Sequence, residues 1–245
     1  MVSNNSSRDK NFFEQYYSSS SITHQQLSTA DVFERESVLG RHAQIIKTTK
    51  KLVALDVGCG YGRYAKYLID IGYFYIGVDP VAENVNKLEL ALITFGFVKG
   101  QDFELYSGTL ESLSSGILNK KCDMALSINV IHHTASAQVY VKNLALCIRS
   151  GGTLIVVEPN PLNPLHWISY ALQRSLKEEW KFLIYNPIYL RSIFNFIGKT
   201  RFSSLGPLPL RVMNWSVKFV PIFRAWVKCC WSPFDPFFRY EVKIS

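Results

Sequence analysis

The sequence predicts an α/β fold in which helices cover both faces of a mostly parallel sheet. Short apolar runs alternate with helical segments of about a dozen residues, which is the pattern of repeated right-handed crossovers. The runs are apolar along their length, as expected of strands that are buried on both faces. A glycine-rich loop directly follows the first run. Ligands of such sheets bind at the carboxyl ends of the strands, so functional residues are expected just after each strand.

The first half of the chain contains three predicted strands and two predicted helices. The strands are residues 52–57, 73–78 and 103–106. The first helix ends at Gly72, and its apolar residues recur at helical spacing: Tyr64, Tyr67, Leu68 and Ile71. The second helix is closed by Gly96 and has an apolar face of the same kind: Val81, Val85, Leu88, Leu92 and Phe95.

The second half continues the alternation with strands predicted at 124–128 and 153–157. Between them, a helix with an apolar face precedes a Gly151–Gly152 turn: Val141, Leu144, Ala145 and Ile148. Asn186–Pro187 is a typical helix start, and one face of that helix is predicted to be apolar: Tyr189, Ile193, Phe196 and Ile197. Residues 240–244 predict an antiparallel edge strand.

The chain is interpreted as an N-terminal helical cap, residues 1–47, before a main domain at 48–245. Two aromatic-rich segments stand out from the regular pattern. Residues 164–185 are either a lid over an apolar acceptor or ordinary core packing. Residues 211–231 favour a helix packed between the last two strands, and a basic amphipathic segment that touches anionic lipid remains the alternative.

The bulk composition excludes several classes of protein. Of the 245 residues, 48% are hydrophobic and 19% are charged, which is ordinary globular composition. The net charge of +8 is scattered, so no nucleic-acid groove is predicted. Five cysteines without a Cys-x-x-Cys pair favour neither a disulfide framework nor a metal site. The polar N-terminus and the lack of a long apolar stretch predict a cytoplasmic protein, with peripheral membrane contact as an open alternative.

The glycine loop 56–62 carries the most specific chemical signal. Its spacing is Gly-x-Gly-x-Gly, whereas the dinucleotide fingerprint is Gly-x-Gly-x-x-Gly. Asp56 precedes the first glycine of the loop, and a carboxylate there suits a cationic amino group better than a pyrophosphate. Asp79 closes the second strand, where a carboxylate can accept hydrogen bonds from ribose hydroxyls. The alternative for Asp79–Pro80 is an N-cap and first residue of the next helix.

Four segments together resemble the class I S-adenosylmethionine-dependent methyltransferases, in particular the small-molecule branch that includes quinone-biosynthesis methylases. They are residues 55–62, 77–80, 122–133 and 149–154. The resemblance implies a Rossmann-like, mostly parallel seven-stranded sheet with an antiparallel C-terminal strand. It also implies S-adenosylmethionine as the cofactor. The expected acceptor is a small or lipid-like molecule that is methylated at a hydroxyl oxygen.

The resemblance assigns cofactor-binding roles by position. The methionine end would be lined by Asp56, Gly58, Cys59, Gly60, Tyr61 and Gly62. Asp79 would hold the ribose, and Pro80 or Val81 would pack on the adenine. Thr109 stands where the family often has an acidic residue, so the Thr109 hydroxyl or the Leu110 backbone is the expected adenine contact. Asn129 would approach the methionine carbonyl region.

Three residues are candidates for a general base, which a hydroxyl acceptor benefits from. His132 and His133 follow the fourth strand, and histidine has a suitable pKa near neutrality. Glu158 follows the fifth strand. For each of the three, a packing or structural role is the favoured alternative.

Three other functions compete with a small-molecule methyltransferase. An RNA or protein methyltransferase is disfavoured because residues 129–132 do not form an Asn-Pro-Pro-Tyr-like motif. A nicotinamide oxidoreductase is disfavoured by the early third glycine and by the lack of an evident Tyr-x-x-x-Lys pair. A non-catalytic module that binds S-adenosylmethionine stays open.

Overall fold

A computed structural model describes residues 37–44, 51–110, 112, 121–172, 185–205, 235 and 237–245. In this part of the chain the sheet has seven strands, in the order β3-β2-β1-β4-β5-β7-β6. The strands are β1 Leu52–Val57, β2 Tyr73–Asp79, β3 Phe103–Ser107, β4 Cys122–Ile128, β5 Ile148–Pro159, β6 Gly198–Ser204 and β7 Phe237–Ile244. The helices are α1 Ala65–Asp70, α2 Ala82–Thr94, α3 Ala137–Leu146, α4 Pro164–Leu172 and α5 Pro187–Asn195.

The sheet is parallel from β3 to β5 and antiparallel on both sides of β7. The chain moves outward from β1 through β2 to β3 and then returns to place β4 on the other side of β1. The topological switch point therefore lies between β1 and β4. The glycine loop follows β1 and Asn129 follows β4, so these predicted site residues lie at the switch point.

Helices cover both faces of the sheet, as predicted. On one face, α3 and α5 pack on a core that includes Leu55, Val156 and Tyr240. On the other face, α1 and α2 pack on a core that includes Tyr75 and Leu126. Apolar side chains point both ways from the central strands, which explains why those strands read as continuous apolar runs.

The prediction that the last strand lies at the sheet edge is wrong. β7 is antiparallel, as expected, but it lies between β5 and β6, and β6 forms the edge. One face of β7 is fully buried in the core through Phe238, Tyr240 and Val242. The opposite face presents Arg239 and Glu241, whose charges are paired rather than solvated. In the sequence, the alternation of Arg239 and Glu241 with apolar residues looks like the polar face of an edge strand, although the two side chains form a buried ion pair.

The Gly151–Gly152 pair is a bulge within β5 and not a turn before it. Ile148 already pairs with Cys122 in the sheet, so it is the first strand residue and not the end of the preceding helix as predicted. The register with β4 then shifts between Cys122 and Met124, and Gly151 has a φ of 74°. The extra residues are absorbed without ending the strand.

The start of α5 is confirmed, but its buried face differs from the prediction. The Asn186 side-chain oxygen accepts hydrogen bonds from the backbone of Ile188 and Tyr189. Leu190, Ile193 and Phe194 are buried, whereas Phe196 is 86% exposed. The helix ends at Asn195, so Phe196 no longer follows the helical spacing.

The predicted N-terminal cap falls mostly outside the described residues, and so does segment 211–231. Of the cap, residues 37–44 pack on the same face of the sheet as α1 and α2. The Arg239 guanidinium donates to the Val38 carbonyl at 2.6 Å, and Arg41 forms an ion pair with Glu241 at 2.9 Å. Of the predicted lid, α4 is described and residues 173–184 are not. No helix in the described ranges is long and apolar enough to cross a membrane.

Candidate active site

The glycine loop turns tightly beneath an open space at the carboxyl edge of β1. Gly58, Gly60 and Gly62 have φ values of 74°, 51° and 70°, in the left-handed region that favours glycine. A Cβ on Gly58 would lie 2.3 Å from Val130, and one on Gly62 would lie 2.2 Å from Leu88. A Cβ on Gly60 would meet no atom of the described residues within 4 Å. Two glycines therefore allow packing against neighbouring elements, and Gly60 leaves room for a ligand.

Asp79 links the end of β2 to this loop. One carboxylate oxygen accepts a hydrogen bond from the Gly60 backbone at 2.8 Å. The other accepts from the Val81 backbone at 2.9 Å and from the Asn84 side chain at 3.1 Å. The N-cap alternative is wrong, because α2 begins at Ala82 with Val81 at the cap position. Burial raises the pKa of Asp79, and these hydrogen bonds oppose that rise.

Asp56 is buried at the end of β1, on the same face of the sheet as Asp79. One of its oxygens accepts a hydrogen bond from the Tyr75 hydroxyl at 2.9 Å. Burial raises the pKa of Asp56 to about 7; the Tyr75 hydrogen bond lowers it and the nearby Asp79 charge raises it. Two carboxylates that are expensive to ionise together favour a cationic ligand over an anionic one.

Of the remaining predicted contacts, three are exposed and one is buried. Asn129 is exposed at the end of β4, with a φ of 57°, and its backbone donates to Val157 at 2.8 Å. Thr109 is exposed, and the preceding Gly108 donates to the Asp79 carbonyl at 2.9 Å, which brings that loop to β2. Leu110 is buried, so its side chain belongs to the core. Pro80 is exposed beside Asp79.

Two other residues of the loop have distinct environments. Cys59 is buried, and burial raises the pKa of its thiol well above the usual value, so the thiol is an inert part of the core. Tyr61 is partly exposed, and the Lys87 ammonium lies 5.7 Å from the centre of its ring. The cofactor-binding set predicted from sequence therefore converges on one edge, with Cys59 and Leu110 facing inward.

Glu158 and His132 form a buried pair at the ends of β5 and β4. One Glu158 oxygen accepts from the backbone of Val130 at 3.1 Å and of Ile131 at 2.8 Å. The other lies 2.5 Å from Nδ1 of His132. Because both side chains are almost fully buried, the pair fixes the 3-10 turn Ile131–His133. Through Val130 that turn also packs on Gly58.

His133 differs from His132 in its exposure. The centre of its ring lies 3.9 Å from that of the His132 ring, the two ring planes are tilted by 49°, and the residue is only partly buried. Among the three predicted base candidates, His133 is thus the least buried, although its Nδ1 atom is buried. In the described ranges, no group of three or more His, Cys, Asp or Glu residues is arranged to hold a metal ion.

Sequence reasoning missed Tyr75 and Asn84. Asn84 lies on the buried face of α2, next to Val85. Its side-chain oxygen has no hydrogen-bond partner in the described structure. A polar residue on that face was the available signal. Tyr75 gave no such signal, because an aromatic residue within a buried strand is ordinary packing.

The comparisons with known proteins agree with this geometry. Residues 55–156 match the family model described as "Methyltransferase domain". The ubiquinone biosynthesis O-methyltransferase of Chelativorans sp. (strain BNC1) is 26% identical over 121 residues, 49% of this chain and 46% of that protein. The protein of the same name from Bradyrhizobium sp. (strain ORS 278) is 26% identical over 133 residues, 54% and 48% of the two chains. The chain thus spans about half the length of the curated relatives it matches.

The solved structures support the fold over more of the chain. The plantazolicin methyltransferase BpumL in complex with SAH has a TM-score of 0.56 and 13% identity. The alignment covers 97% of this chain and 91% of that one. Residues 55–156 thus match a methyltransferase domain, and the fold of the chain is similar to that of a solved methyltransferase.

Proposed function

We propose that the protein transfers a methyl group from S-adenosylmethionine to a hydroxyl oxygen of a small or lipid-like acceptor. The observation that carries the proposal is the space that the described residues leave at Gly60. The Gly60 backbone donates to the buried Asp79, and the buried Asp56 lies near Asp79 on the same face of the sheet. When bound there, the cofactor would supply an electrophilic methyl group on a positively charged sulfur. The protein's task is then chiefly to align that methyl group with the acceptor oxygen.

The residues present fit such a cofactor. Asp56 would accept from the ammonium group of the methionine end. Asp79 uses three protein donors and, as a carboxylate with about four lone-pair sites, retains acceptor capacity for ribose hydroxyls. Gly60 would let the backbone approach the ligand closely. Thr109 and Asn129 would contact the adenine and the methionine end from the exposed rim of the site.

For the acceptor proton, His133 is the proposed base. A general base must reach the proton that it removes, and His133 is the partly exposed member of the three candidates. Glu158 and His132 are proposed to hold the turn that carries His133, since both side chains are buried and engaged with each other.

A hydroxyl on an apolar acceptor is supported by two observations. The curated relatives named above are ubiquinone biosynthesis O-methyltransferases. In addition, α4 leaves the carboxyl end of β5 and exposes apolar side chains: Trp167 is 38%, Ile168 57% and Leu172 79% exposed. The Trp167 indole donates to the Pro161 carbonyl at 3.1 Å, which anchors the helix beside the site.

The cofactor part of the proposal is tested by calorimetric titration with S-adenosylmethionine, S-adenosylhomocysteine and NADH. We expect micromolar binding of both adenosyl compounds and none of NADH. Asp79→Ala should weaken adenosyl binding at least about 100-fold, since it removes a buried charged acceptor from the ligand and from the loop. Asp70→Ala is the matched control, because Asp70 pairs with Lys66 on the surface of α1 and should not affect binding.

Binding of NADH instead would contradict the proposal. Adenosyl binding without methyl transfer to any phenolic or lipid-like acceptor would favour the non-catalytic module. Methyl transfer from S-adenosylmethionine to RNA or protein would favour an RNA or protein methyltransferase.

Peripheral contact with a membrane belongs to the same proposal, because a lipid-like acceptor resides there. The protein has a net charge of +8, and we expect it to sediment with anionic liposomes at low salt and to be released at high salt. Neutral liposomes are the control. Failure to sediment with anionic liposomes at low salt would contradict membrane contact. A small, water-soluble acceptor would then be the remaining form of the proposal.

A further inference from the structure

Tyr75 supplies the hydrogen bond to Asp56 that is present in the described structure, and this bond is shielded from water. The phenol is 0% exposed and the carboxyl residue 4% exposed. Tyr75 lies on β2, opposite Ala54 of the neighbouring strand, and so directly beneath the end of β1 that carries Asp56. Only one carboxylate oxygen accepts from the phenol, which leaves the other oxygen for a ligand.

The sheet makes room for this phenol. Ala54 is small and fully buried, and the next residue on the same face of β2 is Gly77. A Cβ on Gly77 would lie 2.7 Å from Leu105, 3.0 Å from the Tyr75 ring and 3.1 Å from the Cys59 sulfur. The ring is therefore held in one position by its neighbours and cannot readily swing away from Asp56.

The groups that face Asp56 come from two elements. From β2 they are Tyr75 and Asp79, and from the glycine loop the Cys59 thiol. Burial raises the pKa of Asp56 and of these three groups. The pKa values of Tyr75 and Cys59 lie well above their usual values, so both side chains stay neutral near pH 7. The Tyr75 hydrogen bond acts in the opposite direction on Asp56 and favours its ionised form.

We infer that Tyr75 is a positioning residue. Its hydroxyl holds one oxygen of the ionised Asp56 carboxylate in place, so that the other oxygen binds the ammonium group of the cofactor. The inference rests on the proposed function. Nothing in the sequence pattern distinguishes this tyrosine from a packing residue, and the role follows from the hydrogen bond, the burial and the space at Gly77.

The test is Tyr75→Phe, which removes the hydroxyl and keeps the ring. Binding of S-adenosylhomocysteine is measured by calorimetry from pH 6 to pH 8.5. We expect the Kd to rise about tenfold near pH 6.5 and less at pH 8.5, because the pKa of Asp56 rises when the donor is lost. The pH at which binding weakens should move up by about one unit. Titration of the ligand's own amino group is common to both proteins and cancels in the comparison.

Tyr73→Phe is the matched control. Tyr73 is also buried, on the same face of β2 two residues earlier, and it faces the Asp123 charge rather than Asp56. Its pH profile should match the wild type. In an Asp56→Asn background, Tyr75→Phe should no longer shift the profile.

Three results would overturn the inference. They are an unchanged Kd and pH profile in Tyr75→Phe, a loss of binding that is equal at every pH, or the same shift in the Asp56→Asn background. Thermal unfolding identifies a variant that fails to fold. In that case Tyr75→Phe is replaced as a probe by Gly77→Ala, which crowds the ring and should move the profile in the same direction. Wild-type protein that binds no adenosyl compound would instead defeat the proposed function, before any variant is compared.

Discussion

Asp56→Asn is expected to stabilise the unliganded protein at pH 8 while it weakens cofactor binding. Burial raises the pKa of Asp56 to about 7, above the value near 4 of an unfolded chain. The stability linked to this group is therefore complete below about pH 4 and is lost as the pH rises through about 7. Asparagine does not titrate, so the variant avoids a cost of about 2–4 kcal/mol at pH 8.

The measurement is the midpoint of thermal unfolding of both proteins between pH 5 and pH 8. At pH 8 the variant should unfold at least about 4 °C higher than the wild type, and the difference should shrink towards pH 5. Asp102→Asn is a control of opposite sign, since hydrogen bonds from Val98 and Lys51 lower the pKa of Asp102. That variant should lose stability at pH 8. Equal midpoints for wild type and Asp56→Asn at every pH would show that Asp56 ionises without cost.

Glu158→Ala should destabilise the protein by about 3–5 kcal/mol, because it leaves several buried donors without an acceptor. Those donors are the backbone N–H groups of Val130 and Ile131 and the His132 ring. The released turn also carries Val130, which fits against Gly58, so cofactor binding should weaken in the fraction that still folds. Urea unfolding measures the stability, and calorimetry measures the binding.

Glu89→Ala is the matched control for this change. Glu89 forms an ion pair with Lys99 at the surface, at 2.8 Å, and its loss should cost about 1 kcal/mol or less. A cost for Glu158→Ala no larger than that of Glu89→Ala would refute the structural role of the Glu158–His132 pair. Unchanged stability together with a loss of methyl transfer would instead favour Glu158 as the general base.

The sequence predicted the fold, and the convergence of the candidate site residues at one edge, because the signals for them are local. The β1 run, the loop glycines and Asp79 each follow from a pattern within a few residues, and their convergence follows from parallel topology. Strand order at the far edge was not predictable in this way. β7 pairs with β5, and its side chains are buried on both faces of the sheet. Glu241 reads as a surface residue in the sequence, because its ion-pair partner Arg41 lies 200 residues away.

The parts of the site that were missed depend on contacts across strands. Asp56 and Tyr75 are 19 residues apart, and Glu158 and His132 are 26 apart. In each pair the chemistry of one residue is set by the other, and a single sequence does not record which residues meet. Residue type alone made Glu158 a candidate base, whereas its burial and its three donors favour a structural role.

The place of β7 between β5 and β6 constrains the order of assembly during synthesis. β6 is complete at residue 204, yet in the described sheet its partner is β7, which begins at residue 237. The ribosome must therefore deliver more than thirty further residues, about two seconds or more of translation, before β6 can join the sheet. Contacts between residues 38 and 239 add a second long-range closure, so this side of the domain is expected to complete last.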